Sequence, residues 1–221
     1  MRRRLSLGLL ALTALGIVRG AVPGPGDAAP PPEQAVESAA LGALREDAGP
    51  WLGRRLQVVV QFHSERAAWN PWLTRFGPVD YAGFACWSDD RFTWDRAVWS
   101  DPFQHLFARR GSPAEAALRG ARLYERYELV VVLREVFLGE PWVEVESARR
   151  LEEVVGEGTV LHASRALVLM AEGRWTLARG ELERAETEEL PAHARAELDR
   201  LREEIDAALR EAEEEDQRKR S

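Results

Sequence analysis

The feature that most constrains the fold is a change of hydrophobic period near Gly156 and Gly158. Upstream, apolar side chains recur every second residue; downstream they recur every three or four, so a sheet must give way to helices. In Leu56, Val58, Val60 and Phe62 the apolar positions alternate with Gln57, Gln61 and His63, broken only by Val59, which is the pattern of a half-buried strand. Tyr81 to Trp87 reads as a second strand, and a third is expected between Arg91 and Arg109. Tyr127 to Phe137 and Trp142 to Ser147 are two more, joined into a hairpin through Leu138, Gly139, Glu140 and Pro141. Val143 and Val145 are expected to face the core, and Glu144 and Glu146 the solvent.

Between the third strand and the hairpin stands Ser112-Pro113-Ala114-Glu115, with Ala116, Ala117, Leu118 and Ala121 behind it. Serine before the first turn, proline at its first position and glutamate three residues after the serine mark a helix start. This helix is expected to reach about Leu123. Strand, strand, strand, helix, strand, strand over residues 51–153 resembles the OB-fold, a five-stranded barrel with a helix between its third and fourth strands. The resemblance rests on that order, on the first-strand run GRRLQVVVQF and on the closing hairpin. The long Trp-rich stretch from Glu65 to Phe107 departs from it, and another small α+β barrel or an open sheet remains as the alternative.

Past Gly158, Leu161, Ala166, Leu169 and Met170 share a helix face, followed by Gly173, Trp175, Ala178, Leu182, Ala185 and Pro191. This run resembles the second half of a tetratricopeptide repeat: a turn glycine, an aromatic two residues on, small residues where two helices pack, and a closing proline. It departs from the repeat in two places, since the proline falls one position late and His162 stands where tryptophan is usual. A further helix is expected from Pro191 to about Glu214, with Ala194, Leu198, Leu201, Ile205 and Leu209 on one face. It would cap the hairpin, and the charged tail 211–221 is expected to fray. The expected fold class is therefore α+β: a small OB-like five-stranded barrel with one helix between strands three and four, then a helical hairpin plus a capping helix over 159–210.

The N-terminus carries a different signal. Arg2, Arg3 and Arg4 precede an apolar run from Leu5 to Val18, closed by Arg19 and the small residues Gly20 and Ala21. The run is about fourteen residues, short of the roughly twenty that span a bilayer. Residues 1–20 thus read as a secretory signal peptide, with export to the periplasm or cell envelope expected and an uncleaved anchor as the alternative. No stable membrane insertion is expected after cleavage. Residues 21–50 read as an Ala- and Pro-rich linker around Pro30, Pro31 and Pro32, with a short amphipathic helix over Glu33 to Arg45.

Composition narrows the function classes. The net charge of −7 becomes −11 once Arg2, Arg3, Arg4 and Arg19 are removed, which disfavours nucleic-acid binding. Residues 51–150 hold 14 basic and 13 acidic side chains, and residues 151–221 hold 11 and 19, so the helical part carries the negative field. Cys86 is the single cysteine; it lies in an apolar run and reads as a buried inert thiol, so the fold must be held without an internal disulfide.

Trp69, Trp72, Trp87, Trp94 and Trp99 crowd one stretch. Such rings either stack on a sugar or other polymer, or fill the core and pin a long loop. His63, Asp89, Asp90, Asp95 and His105 are the residues from which an acid-base or metal site would have to be assembled, and their spacing matches no metal or catalytic motif. Nothing points to a cofactor. The expectation is an exported, non-enzymatic binding or scaffolding protein acting through a protein partner. The first alternative is oligosaccharide binding at the Trp-rich loop, and the second a hydrolase using Asp89, Asp90 and a histidine.

Overall fold

The computed structural model describes residues 36–66 and 75–220; Trp69, Trp72 and the stretch 1–20 expected to be a signal peptide lie outside the described residues. Among the described residues there are six strands: β1 (Glu37–Ser38), β2 (Arg55–Arg66), β3 (Tyr81–Ser88), β4 (Phe103–Arg109), β5 (Arg126–Phe137) and β6 (Glu140–Arg150). The last five close on themselves in the order β2-β3-β4-β6-β5, with β5 returning to β2. All these pairings are antiparallel except β4 with β6, which is parallel. The result is the closed OB-like barrel expected from the sequence, with β1 added in parallel beside the start of β2.

Alternation fills the barrel. Leu56, Val58, Val60 and Phe62 of β2 point inward and meet Phe84 and Cys86 of β3, Leu106 of β4, Leu129 and Val131 of β5, and Val143 and Val145 of β6. Burying these side chains on facing strands gives the barrel its apolar core. A register shift between Phe62 and Ser64 leaves His63 at an irregularity on the outer side. Cys86 is buried, and desolvation pushes its thiol pKa up.

Two short helices close opposite ends of this barrel. Helix α1 (Leu41–Glu46) buries Leu41 and Leu44 beside the end of β3, where the Gly42 amide donates to Ser88 Oγ at 3.1 Å. The stretch 36–50 is thus not only a spacer, because its two leucines complete the barrel core. Helix α2 (Arg96–Ser100) lies in the β3–β4 connection, and α3 (Pro113–Arg119) follows β4. The start of α3 is the cap read from the sequence: Ser112 Oγ accepts from the Glu115 amide at 3.1 Å, and Glu115 accepts from the Gly111 amide at 3.2 Å. Ala114 and Leu118 then enter the barrel core, and the helix stops at Gly120, short of Leu123.

Downstream, α4 (Glu157–Ala171) and α5 (Trp175–Ala185) form a hairpin, and α6 (Ala192–Arg220) packs on α5. The α4 C-terminus is closed by Gly173 at φ 69°: its amide bonds the Met170 carbonyl at 2.9 Å and the next amide, of Arg174, bonds the Leu169 carbonyl at 2.8 Å. Ala163, Ala166, Ala178 and Ala185 are buried and let the helices approach closely. Helix α6 continues past Glu214 to Arg220, where the tail was expected to fray. Pairs one turn apart, Glu215 with Lys219 and Asp216 with Arg220, favour the helical state there. No described helix is long and apolar enough to cross a membrane.

Candidate functional site

The helices share a core with the outside of the barrel. Trp87, Trp94 and Tyr124 belong to the same buried cluster as Val160, Ala163, Leu182, Leu198 and Ile205. Trp87 is 1% exposed and Trp94 3%, so neither offers a ring face to a ligand. Trp99, at the end of the same connection, is 49% exposed. Of the five clustered tryptophans, two are therefore taken up in packing, one stands half in solvent, and Trp69 and Trp72 lie outside the described residues.

Trp99 is held in place although exposed. Its indole N–H donates to the Tyr124 hydroxyl at 3.1 Å, and its own carbonyl accepts from the Trp87 indole at 3.1 Å. Tyr124 stacks on Trp87 with ring centroids 5.3 Å apart. Its backbone sits at φ 71°, a left-handed conformation that a bulky side chain rarely adopts and that surrounding contacts must enforce. Thr93, buried behind the site, donates its hydroxyl to Gln61 Oε1 at 3.2 Å. Together with Val160, Leu161 and Ser164 of α4 these side chains line a groove of about 270 Å³, with Arg96 and Glu157 at its polar margin. Leu161, 45% exposed, lines the same groove.

The polar residues singled out from the sequence have separate partners. Both oxygens of Asp89 are taken by Arg126, at 2.7 and 2.6 Å, and Gln61 Nε2 adds a bond at 3.4 Å. Arg126 also reaches Glu153 at 3.2 Å, so the network ties the end of β3, the start of β5 and the segment after β6 together. Burial lowers the guanidinium pKa of Arg126, and its bonds and charge pairs with Asp89 and Glu153 outweigh that, so the net shift is upward. Asp90 bonds the Ser88 hydroxyl. Asp95 caps α2, accepting from the Ala97 amide at 2.8 Å.

Of the histidines, His63 packs edge-on against Trp87 and is lowered in pKa by desolvation. His105 stacks on Trp142 at 4.4 Å outside the barrel; burial, then the charges of Arg66 and Arg45, bring it down to about 4. The histidine that does approach Asp89 is His193 of α6, at 3.7 Å, beyond hydrogen-bond reach. Asp89, Asp90 and His193 line one shallow cavity, yet Asp89 is committed to Arg126 and no general acid-base pair is assembled there. Among the described residues, no three histidine, cysteine or carboxylate side chains are grouped so as to hold a metal ion.

The residues of the helical motif fall in the hairpin. Ala166, Ala178, Leu182 and Ala185 are buried between helices, Gly173 makes the turn, Trp175 opens α5, and Pro191 precedes α6. His162 bonds Glu181 across the two helices at 2.7 Å, and that bond is the leading reason the Glu181 carboxyl is lowered in pKa. Sequence reasoning did not find the groove, because Leu161 was assigned to the inner face of its helix and nothing local distinguishes Trp99 from Trp87 or Trp94. Comparison with protein-family models, with curated proteins and with solved structures found no match to this chain.

Proposed function

We propose that this protein is a non-enzymatic binding or scaffolding protein, acting outside the cytoplasm through contacts with a protein partner at the Trp99 groove. The observation that carries the reading is Trp99 itself: half exposed, fixed by Tyr124, and lining one groove with the exposed Leu161 of α4. Tryptophan, tyrosine and arginine dominate the energetics of protein interfaces, and a rigid exposed indole loses little conformational entropy on binding. The helical hairpin resembles a tetratricopeptide unit, an architecture suited to protein contacts, and that analogy adds weight without identifying a partner.

Oligosaccharide binding has less support. Stacking needs open ring faces, and with Trp87 and Trp94 buried only Trp99 of the described cluster supplies one.

The test is quantitative capture from envelope extracts with the intact protein and two variants, Trp99→Ala and Leu161→Glu. A partner retained by the parent and lost with both variants, while a Leu177→Glu control on α5 keeps it, supports the proposal. Retention by all four would place the contact elsewhere. In parallel, a shift of intrinsic fluorescence on titration with cell-wall glycans, abolished in Trp99→Ala, would favour the polysaccharide reading.

A further inference from the structure

The hydrogen-bonding groups of the groove say what kind of partner segment fits it, an inference that rests on the groove being the binding site. Its lining holds donors without acceptors. Trp94 is 3% exposed and lines the groove, yet its indole N–H meets no acceptor among the described residues. The unpartnered side-chain atoms sealed from solvent lie elsewhere, at His105, Trp142, His193 and Asp206, so the Trp94 N–H is open to the groove. Tyr124, 6% exposed, already accepts: its oxygen takes the Trp99 N–H at 3.1 Å. That leaves the phenolic hydrogen to be donated, and no acceptor for it stands among the described residues. Ser164 of α4, half-buried in the same lining, makes no hydrogen bond through its hydroxyl.

Acceptors are scarce by comparison. Thr93 spends its hydroxyl hydrogen on Gln61 at 3.2 Å. Glu157 is the one carboxylate of the lining, and it stands in the first turn of α4, where the helix N-terminus offsets its charge. Between these polar points the lining is apolar, from Trp99, Val160 and Leu161. A nearly buried donor left without an acceptor costs stability, so two of them in one groove call for an occupant that supplies the acceptors.

Such an occupant must bring few donors of its own. An ordinary extended peptide carries an N–H for each carbonyl, and a sugar carries a hydrogen on each hydroxyl oxygen; both would bury donors where little can receive them. Proline keeps the carbonyl and lacks the N–H. A proline-rich stretch is also set in the polyproline helix before it binds, so ordering it costs little, and its rings pack on aromatic faces. We infer that the groove takes a proline-rich segment of a partner protein. Its carbonyl oxygens accept from the Trp94 N–H and the Tyr124 O–H, and a pyrrolidine ring packs on Trp99 and Leu161.

The test uses the full chain and three fluorescein-labelled peptides of equal length: one of proline, one alternating leucine with serine, and one of glycine and serine. Binding is read by anisotropy. The proline peptide is expected to bind about tenfold or more tightly than either of the others, each hydrogen bond contributing about threefold to tenfold. Tyr124→Phe keeps a ring on Trp87 and removes the hydroxyl, and Trp94→Phe keeps a ring without the N–H. Each should weaken the proline peptide about threefold to tenfold, with circular dichroism unchanged from the parent. Equal or tighter binding of the leucine or glycine peptide, lost in Trp99→Ala and Leu161→Glu, would overturn the proline chemistry and leave the groove reading intact. Proline binding that survives both of those variants would overturn both readings. No binding of the proline peptide at millimolar concentration would overturn this inference alone, because capture with Trp99→Ala and Leu161→Glu decides the groove reading separately.

Discussion

Removing Asp89 should damage the fold far more than removing both members of its pair. Arg126 is 5% exposed, and its guanidinium is matched by the two oxygens of Asp89 at 2.6 and 2.7 Å. In Asp89→Ala that cation keeps only Glu153, whose side chain is 60% exposed and is therefore a weak, screened partner. An uncompensated buried charge of this kind costs about 3–5 kcal/mol. For a domain of this size, each kcal/mol corresponds to roughly 2–4 °C, so the melting temperature should fall on the order of 10 °C. Replacing both groups with apolar residues of similar volume, Asp89→Leu with Arg126→Met, removes the stranded charge and should recover most of the loss, although Gln61 then lacks one acceptor. Urea unfolding followed by tryptophan fluorescence and circular dichroism measures all three. A loss below about 1 kcal/mol in Asp89→Ala, or a double variant as unstable as the sum of its singles, would refute the reasoning.

Three further outcomes are expected. Leu138 and Gly139 form the β5–β6 turn with φ of 52° and 83°, and Leu138 is almost fully exposed, so Leu138→Asn should raise stability by about 0.5–1 kcal/mol in urea unfolding; a decrease would contradict the turn geometry. His105 is depressed to about 4 when folded against 6.5 when free, so the unfolded chain binds the extra proton first. Its contribution is therefore present above pH 6.5 and lost as pH falls from there toward 4. Relative to His105→Phe, which keeps a ring against Trp142, the parent should lose stability over that window, and parallel pH profiles would count against it. Cys86 should react with a thiol reagent only at the rate of global unfolding, and rapid labelling of the native protein would show the barrel interior open.

What was legible in the sequence was local. The Ser112 cap, the β5–β6 hairpin and the apolar face of α6 each depend on residues within a few positions of one another, and each stands where its pattern put it. β4 was placed only within a window because Phe107 packs outside the barrel against Phe76 and Trp142, which blurs the alternation that marks a strand. The role of Leu41 and Leu44 was hidden by the proline-rich composition before them. Asp89 and Arg126 are 37 residues apart, and no spacing rule links an acid after one strand to a base opening another. The same holds for the candidate site. Which tryptophan is buried depends on α4 and α6 closing over Trp87 and Trp94 while leaving Trp99 at the margin, a tertiary outcome without a sequence period.

The most direct test of the proposed binding role is site-specific photocrosslinking in cells of the source organism, with a photoreactive phenylalanine analogue at Leu161 in the groove and at Leu177 on α5. The account predicts a discrete protein adduct from position 161 that is lost with Trp99→Ala, and none from 177. No adduct from 161, or the same adduct from both positions, would contradict it.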